Sequence, residues 1–240
     1  MLADWFETPK GGYVLAWERG QFDAAVEDVF GYNAVQLGLP GIDFLRESRI
    51  PLKVRAGLEP GCGLRSEPVR LPLESQSIDL LALPHVLEFS AQPHAILREA
   101  ERVLMPEGSI VISGFNPLSL WGAARALGWE RRQVPWCGRF IGLLRLKDWL
   151  ALLGFELTGG RFGCYAPPFS QRPERFGFME KAGDRWWPIC GGVYVVRAIK
   201  RNVGVRLVMP EWRDKRAAKK ALAPVTQRQN GLHVEKRERR

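Results

Sequence analysis

Cysteine is scarce and scattered. The chain of 240 residues holds four, Cys62, Cys137, Cys164 and Cys190, and none forms a Cys-x-x-Cys pair. That argues against a ladder of structural disulfides. Histidine is scarcer still, at three, so a structural zinc site has few candidate ligands and no metal is expected. No apolar run approaches the ~18 residues that a membrane span needs. The opening MLADWFETPKGG has no basic start followed by an apolar stretch. Neither a membrane span nor a signal peptide is therefore expected, and the simplest location is the cytoplasm. No internal repeat stands out.

What is present is enough apolar residue, 46%, to build a core. The net charge of +9 is unevenly placed. From Glu211 to Arg240 there are ten Lys/Arg against four Asp/Glu, so this stretch carries +6 and the rest of the chain only +3. The charge divides the chain into a body, residues 1–205, and a basic tail, residues 206–240, which is expected to be disordered. The tail is either a solvated appendage or a contact for RNA, DNA or anionic lipid.

Periodicity places the elements. Apolar residues at Val14, Leu15, Phe22, Ala25, Val26 and Val29 predict an N-terminal helix over 12–29. Tyr32 to Gly41 and Pro51 to Gly57 read as short strands, with one or two helical turns between them. Ser77 to Pro84 is a near-continuous apolar run, as in a strand covered on both faces. Ile96, Leu97, Ala100, Val103 and Leu104 form one stripe of a helix over 93–104, which Met105-Pro106-Glu107-Gly108 stops before a strand over 109–115. Strand, helix, strand is one βαβ unit and implies a parallel pair. A helix ending at Gly154 precedes a further strand, residues 162–188 form an irregular aromatic insertion, and Gly191 to Arg201 is a last strand, expected as an antiparallel edge. The fold class is α/β with a mostly parallel sheet.

Within this frame, Leu71-Pro72-Leu73, Ser77-Ile78-Asp79-Leu80, Leu87-Glu88-Phe89, Gln92-Pro93 and Arg102-Val103-Leu104-Met105-Pro106-Glu107-Gly108 stand in one order and spacing. That pattern resembles the class I S-adenosylmethionine-dependent methyltransferases of the type 11 branch, over Val69 to Pro117. Phe30-Gly31-Tyr32, Gln36-Leu37-Gly38 and Ser113 to Gly122 also resemble a small bacterial subgroup of that family with a degenerate Gly-rich motif. The resemblance implies a Rossmann-like sheet with helices on both faces and a C-terminal antiparallel strand. It also implies S-adenosylmethionine as cofactor.

Two stretches compete for the family's acid-x-Gly-x-Gly loop. Leu58 to Ser66, LEPGCGLRS, has the better glycines, but only 15 residues separate Gly63 from Ile78. A single βαβ unit takes ~30 or more. Val35 to Gly41 has the better position, with 37 residues between Gly41 and Ile78, and there the first crossover must be short. In it Gln36 replaces the acid, Gly38 matches the first glycine, Pro40 replaces the second and Gly41 falls one place early. The family pattern further implies Glu59 as the acceptor of ribose hydroxyl bonds, since a carboxylate offers two accepting oxygens. It implies Glu67 as the contact to the adenine amino group. Each is otherwise a surface loop acid. Leu83-Pro84-His85 ends the central strand, at the crevice where open α/β sheets bind ligands. His85 is there a cofactor or substrate contact, a base, or a strand-end histidine satisfied by backbone. Asp79 serves the fold. The loop Phe115 to Gly122 is expected over the substrate side, with Trp121, Trp129, Trp136, Trp186 and Trp187 packing a lid or lining a pocket.

The expected function is methyl transfer to an unidentified, small-molecule acceptor. No catalytic residue is assigned, because this chemistry needs chiefly positioning. The rival is a non-catalytic protein of the same fold that binds a protein or nucleic acid through the aromatic insertion or the tail. The sequence leaves the oligomeric state open.

Overall fold

The computed structural model describes residues 2–128, 133–170 and 172–201. The tail of 206–240 and Trp129 lie outside the described residues. The chain opens with a short helix, α1 (Leu2–Phe6), and a long one, α2 (Pro9–Val26). Thr8 starts α2 early: its hydroxyl accepts from the Gly11 N–H at 3.1 Å, and Pro9 supplies a first-turn φ without losing a needed donor.

Seven strands follow: β1 (Asn33–Leu37), β2 (Leu52–Gly57), β3 (Leu64–Arg65), β4 (Ile78–Pro84), β5 (Leu104–Phe115), β6 (Phe155–Gly163) and β7 (Val193–Lys200). They lie in the order β3-β2-β1-β4-β5-β7-β6, with the first five parallel and β7 antiparallel to both neighbours. The helices after α2 are α3 (Pro93–Val103), α4 (Leu120–Ala126), α5 (Leu143–Leu152) and α6 (Gly177–Trp186). Among the described residues no helix is long and apolar enough to cross a membrane.

Alternation along the strands builds two cores. Leu80, Ala82, Val111, Val193 and Val195 face Val14, Phe22 and Val26 of α2. Leu81, Leu83, Ile110, Ile112 and Val196 face the other way, onto α3 and α5. Asp79 does the structural work expected of it: its Oδ2 accepts from the Tyr32 and Asn33 N–H groups at 2.8 and 2.9 Å and fastens the start of β1 to β4.

Four expectations change. The segment between β1 and β2 contains turns and no helix, so the first crossover is shorter than expected, and β2 reaches β3 equally directly. The breaker Met105-Pro106-Glu107-Gly108 lies inside β5, not before it: α3 passes straight into extended backbone at Leu104, and Glu107 takes a φ of 63°. The last strand is not an edge. β7 inserts between β5 and β6, and β6 is the edge. The aromatic insertion is also more regular than expected, because it contains α6.

Candidate functional site

The crossovers from β1 through β3 run one way along the sheet, and β4 and β5 extend it the other way. The strand order therefore reverses between β1 and β4, and at such a switch point the carboxyl ends of the strands leave a crevice. A cavity of about 460 Å³ opens there. It is lined by Gly38 and Leu39 after β1, Glu59 after β2, Pro68, and Pro84, His85 and Val86 at the end of β4. Leu2, Phe89, Ile96 and Val134 supply apolar walls.

The loop after β1 owes its shape to Gln36. This side chain is buried and does not reach the cavity. Its Nε2 lies 3.1, 3.1 and 2.8 Å from the carbonyls of Gly38, Leu39 and Ile42, and its Oε1 accepts from the Phe44 N–H at 3.0 Å. A carboxylate has no donor to offer those carbonyls. Glutamine here is thus a brace, not a worn-down acid, and it lies outside the cavity lining where a cofactor contact was expected. Gly38 turns the chain at φ 74°, and its N–H donates to Ala56 at 2.8 Å. The Arg55 guanidinium donates to the Pro40 carbonyl at 2.6 Å, so the proline's lost donor is offset by its acceptor. Leu39, which sequence reasoning passed over, lines the cavity at φ 48°. Gly41 is exposed, outside the lining.

The other predicted residues divide. Glu59 stands at the cavity, half-buried, and its carboxylate has no hydrogen bond or ion pair among the described residues. Glu67 is exposed and outside the lining, whereas its neighbour Pro68 lines the cavity. Pro84 lines the cavity, whereas Leu83 points into the α3 side of the core.

His85 enters the lining at a φ of 53°, but its imidazole is fully buried behind the cavity. Its Nδ1 meets Glu88 Oε1 at 2.5 Å and its Nε2 lies 2.6 Å from Glu18 Oε1 on α2. Phe115 covers it at a ring distance of 4.5 Å and Phe6 at 5.8 Å. Burial alone lowers an imidazole pKa, but the two carboxylates outweigh it and push His85 up to about 10. The ring is therefore a cation at neutral pH and not a free base. Glu88 Oε2 also accepts the Phe115 N–H at 3.0 Å. Sequence reasoning gave Glu18 no role, although an acid between Val14 and Phe22 on the buried stripe of α2 was the available signal.

The loop after β5 is a strap rather than a cover. Asn116 Nδ2 donates to the Ile189 and Gly191 carbonyls at 2.7 and 2.9 Å, and Ser119 caps α4. Trp121 and Trp136 are buried and stacked at 5.9 Å, while Trp186 and Trp187 are exposed. Packing holds for the first pair and not for the second.

Residues 46–112 match the family model described as a methyltransferase domain of the type 11 branch. Over that stretch the chain is similar to the methyltransferase domain that the model describes. An uncharacterized protein of Escherichia coli K12, YafS, is 42% identical over 100 residues, which is 41% of this chain and 42% of that protein. An uncharacterized protein of Mycobacterium tuberculosis, Rv2003c, is 28% identical over 178 residues, 68% of this chain and 60% of its own length. The chain thus spans about two fifths to three fifths of these curated relatives. A SAM-dependent methyltransferase from Thermotoga maritima shares the fold at a TM-score of 0.58 and 18% identity, over 82% of this chain and 94% of that one. The cofactor that this domain implies is S-adenosylmethionine. The cavity fits it on two observations. Glu59 stands in the lining with no hydrogen bond or ion pair among the described residues, and Gly38 turns the chain beside it at a φ of 74°, where a side chain would be strained.

Proposed function

We propose that the chain transfers a methyl group from S-adenosylmethionine to a small-molecule acceptor. The observation that carries this reading is the cavity at the switch point, which Gly38, Leu39 and Glu59 line together. When bound, the cofactor supplies an electrophilic methyl on a sulfonium. Glu59 would accept from the ribose hydroxyls, the Gly38–Leu39 turn would allow close backbone approach, and Pro68 with Phe89 would give apolar walls. Leu2, Phe89 and Val134 exclude water from the acceptor side.

The protein's contribution is orientation, which is worth a large share of the barrier in such transfers. His85 does not take the acceptor's proton, because both ring nitrogens face carboxylates and the ring keeps its proton to about pH 10. The site therefore suits an acceptor already nucleophilic at neutral pH, such as a carboxylate or an acidic enol, with an apolar portion. Calorimetric titration with S-adenosylmethionine and S-adenosylhomocysteine tests the reading. Saturable binding of both supports it; no heat from well-folded protein overturns it.

A further inference from the structure

A second cavity lies toward the opposite edge of the sheet, between α2 and the β6–β7 pair. It has a volume of about 390 Å³. Gly159 and Gly160 line it, and a Cβ placed at Gly159 would meet nothing within 4 Å. Gln21, Ala24 and Ala25 of α2 line one wall, and Thr158, Arg161, Val195, Arg197 and Ile199 complete the lining. Two arginines thus line one groove, and no carboxylate lines it.

Their positions explain the convergence. Arg161 pairs with Val195 across the β6–β7 ladder, and Arg197 is two residues further along β7. The two are diagonal neighbours, within reach of long side chains. Like charges so placed repel unless an anion lies between them. Arg197 Nε is buried and has no hydrogen-bond partner; the guanidinium's one described side-chain contact is from Nη2 to Ser109 Oγ at 3.4 Å. Arg161 is exposed and has no hydrogen bond or ion pair among the described residues. A buried, unpaired donor is costly, and a planar fork of N–H groups matches the oxygens of a phosphate.

We propose that this groove binds a phosphate group, with Arg161 and Arg197 as its cationic contacts and Gln21 as a polar one from α2. The site is separate from the cavity at the ends of β1, β2 and β4 and does not depend on the methyl-transfer reading. The phosphate belongs either to a small phosphomonoester or to a polynucleotide backbone.

The test is titration of the full chain with inorganic phosphate and pyrophosphate, followed through the arginine Nε–Hε signals by ¹H–¹⁵N NMR. A single-stranded RNA octamer is titrated in parallel. A saturable shift of the Arg197 signal is expected, and Arg161→Ala should weaken binding by about tenfold or more. Arg161 is exposed, so that variant keeps its fold, which circular dichroism verifies; Arg49→Ala, at the Glu27 pair, should change nothing. RNA binding that Arg161→Ala weakens together with phosphate binding assigns the phosphate to a polynucleotide. Binding of phosphate and pyrophosphate alone assigns it to a phosphomonoester. No saturable shift up to about 20 mM, or equal affinity in Arg161→Ala, overturns the proposal.

Discussion

Replacing His85 by leucine is the sharpest probe of how α2 is attached. The substitution leaves the Glu18 and Glu88 carboxylates facing one another with the cation between them gone. The rise of the His85 pKa from 6.5 to about 10 corresponds to about 5 kcal/mol. Removing one partner of a buried ion pair costs about 3–5 kcal/mol by a separate route. Both figures are a large part of a domain's ~5–15 kcal/mol. At an m-value of about 2–3 kcal/mol/M, the urea midpoint should fall by about 1.5 M, read by tryptophan fluorescence. The pH dependence identifies the cause. The folded-state pKa is raised, so the stabilisation is complete below pH 6.5 and is lost as pH rises through about 10. The gap between wild type and His85→Leu should be wide at pH 6.5 and narrow at pH 10.5. Tyr194, whose phenol burial and Glu88 push up, also loses stabilisation at high pH, but in both proteins, so the comparison removes it. Combining His85→Leu with Glu18→Leu and Glu88→Gln should recover most of the loss, since the amide still accepts from Phe115. An unchanged gap at the two pH values would refute the ion-pair account.

Three further outcomes are expected. Glu59→Gln should weaken S-adenosylmethionine binding by about tenfold in calorimetry, with an unchanged urea midpoint, because the side chain has no protein partner to lose. Gln36→Leu should cost about 2–4 kcal/mol and also weaken cofactor binding, because three carbonyls and one N–H around the β1 loop lose their partner together; a stable variant that binds normally would show that the loop shapes itself. Gly163→Ala should destabilise by at least ~1–3 kcal/mol in urea melts, since a Cβ there would lie 2.1 Å from the Trp17 ring and push α2 off the sheet.

The βαβ centre was legible because its signals are local. A filled apolar run for β4, a single stripe for α3 and the following run for β5 each need only a few neighbouring residues. Chain length put Val35–Gly41 at the end of an earlier strand than Leu58–Ser66, and the two stretches do follow β1 and β2 in that order, although the crossovers between them hold no helix. What stayed hidden depends on distant partners. Nothing near His85 in sequence announces Glu18, which approaches from another helix, so a strand-end histidine and a buried cation looked alike. Gln36 read as a substituted acid because the carbonyls it serves are arranged only once the loop has closed. β7 read as an edge because insertion between β5 and β6 is a property of pairing, not of its own eight residues. α6 escaped because its aromatic neighbours and glycines obscured a short helical stripe. Of the predicted site residues, the cavity collects Gly38, Glu59, Pro84 and His85 and leaves out Gln36, Gly41, Glu67 and Leu83.

The attachments of α2 have a bearing on synthesis. Tyr13 bonds to Glu180, 167 residues later, and Trp17 sits on Gly163. Val14, Phe22 and Val26 find their cover partly on β7. At translation rates of about 5–20 residues per second, this apolar stripe waits roughly 10–35 s for its partners. During that interval Val14, Phe22 and Val26 are without part of their native cover.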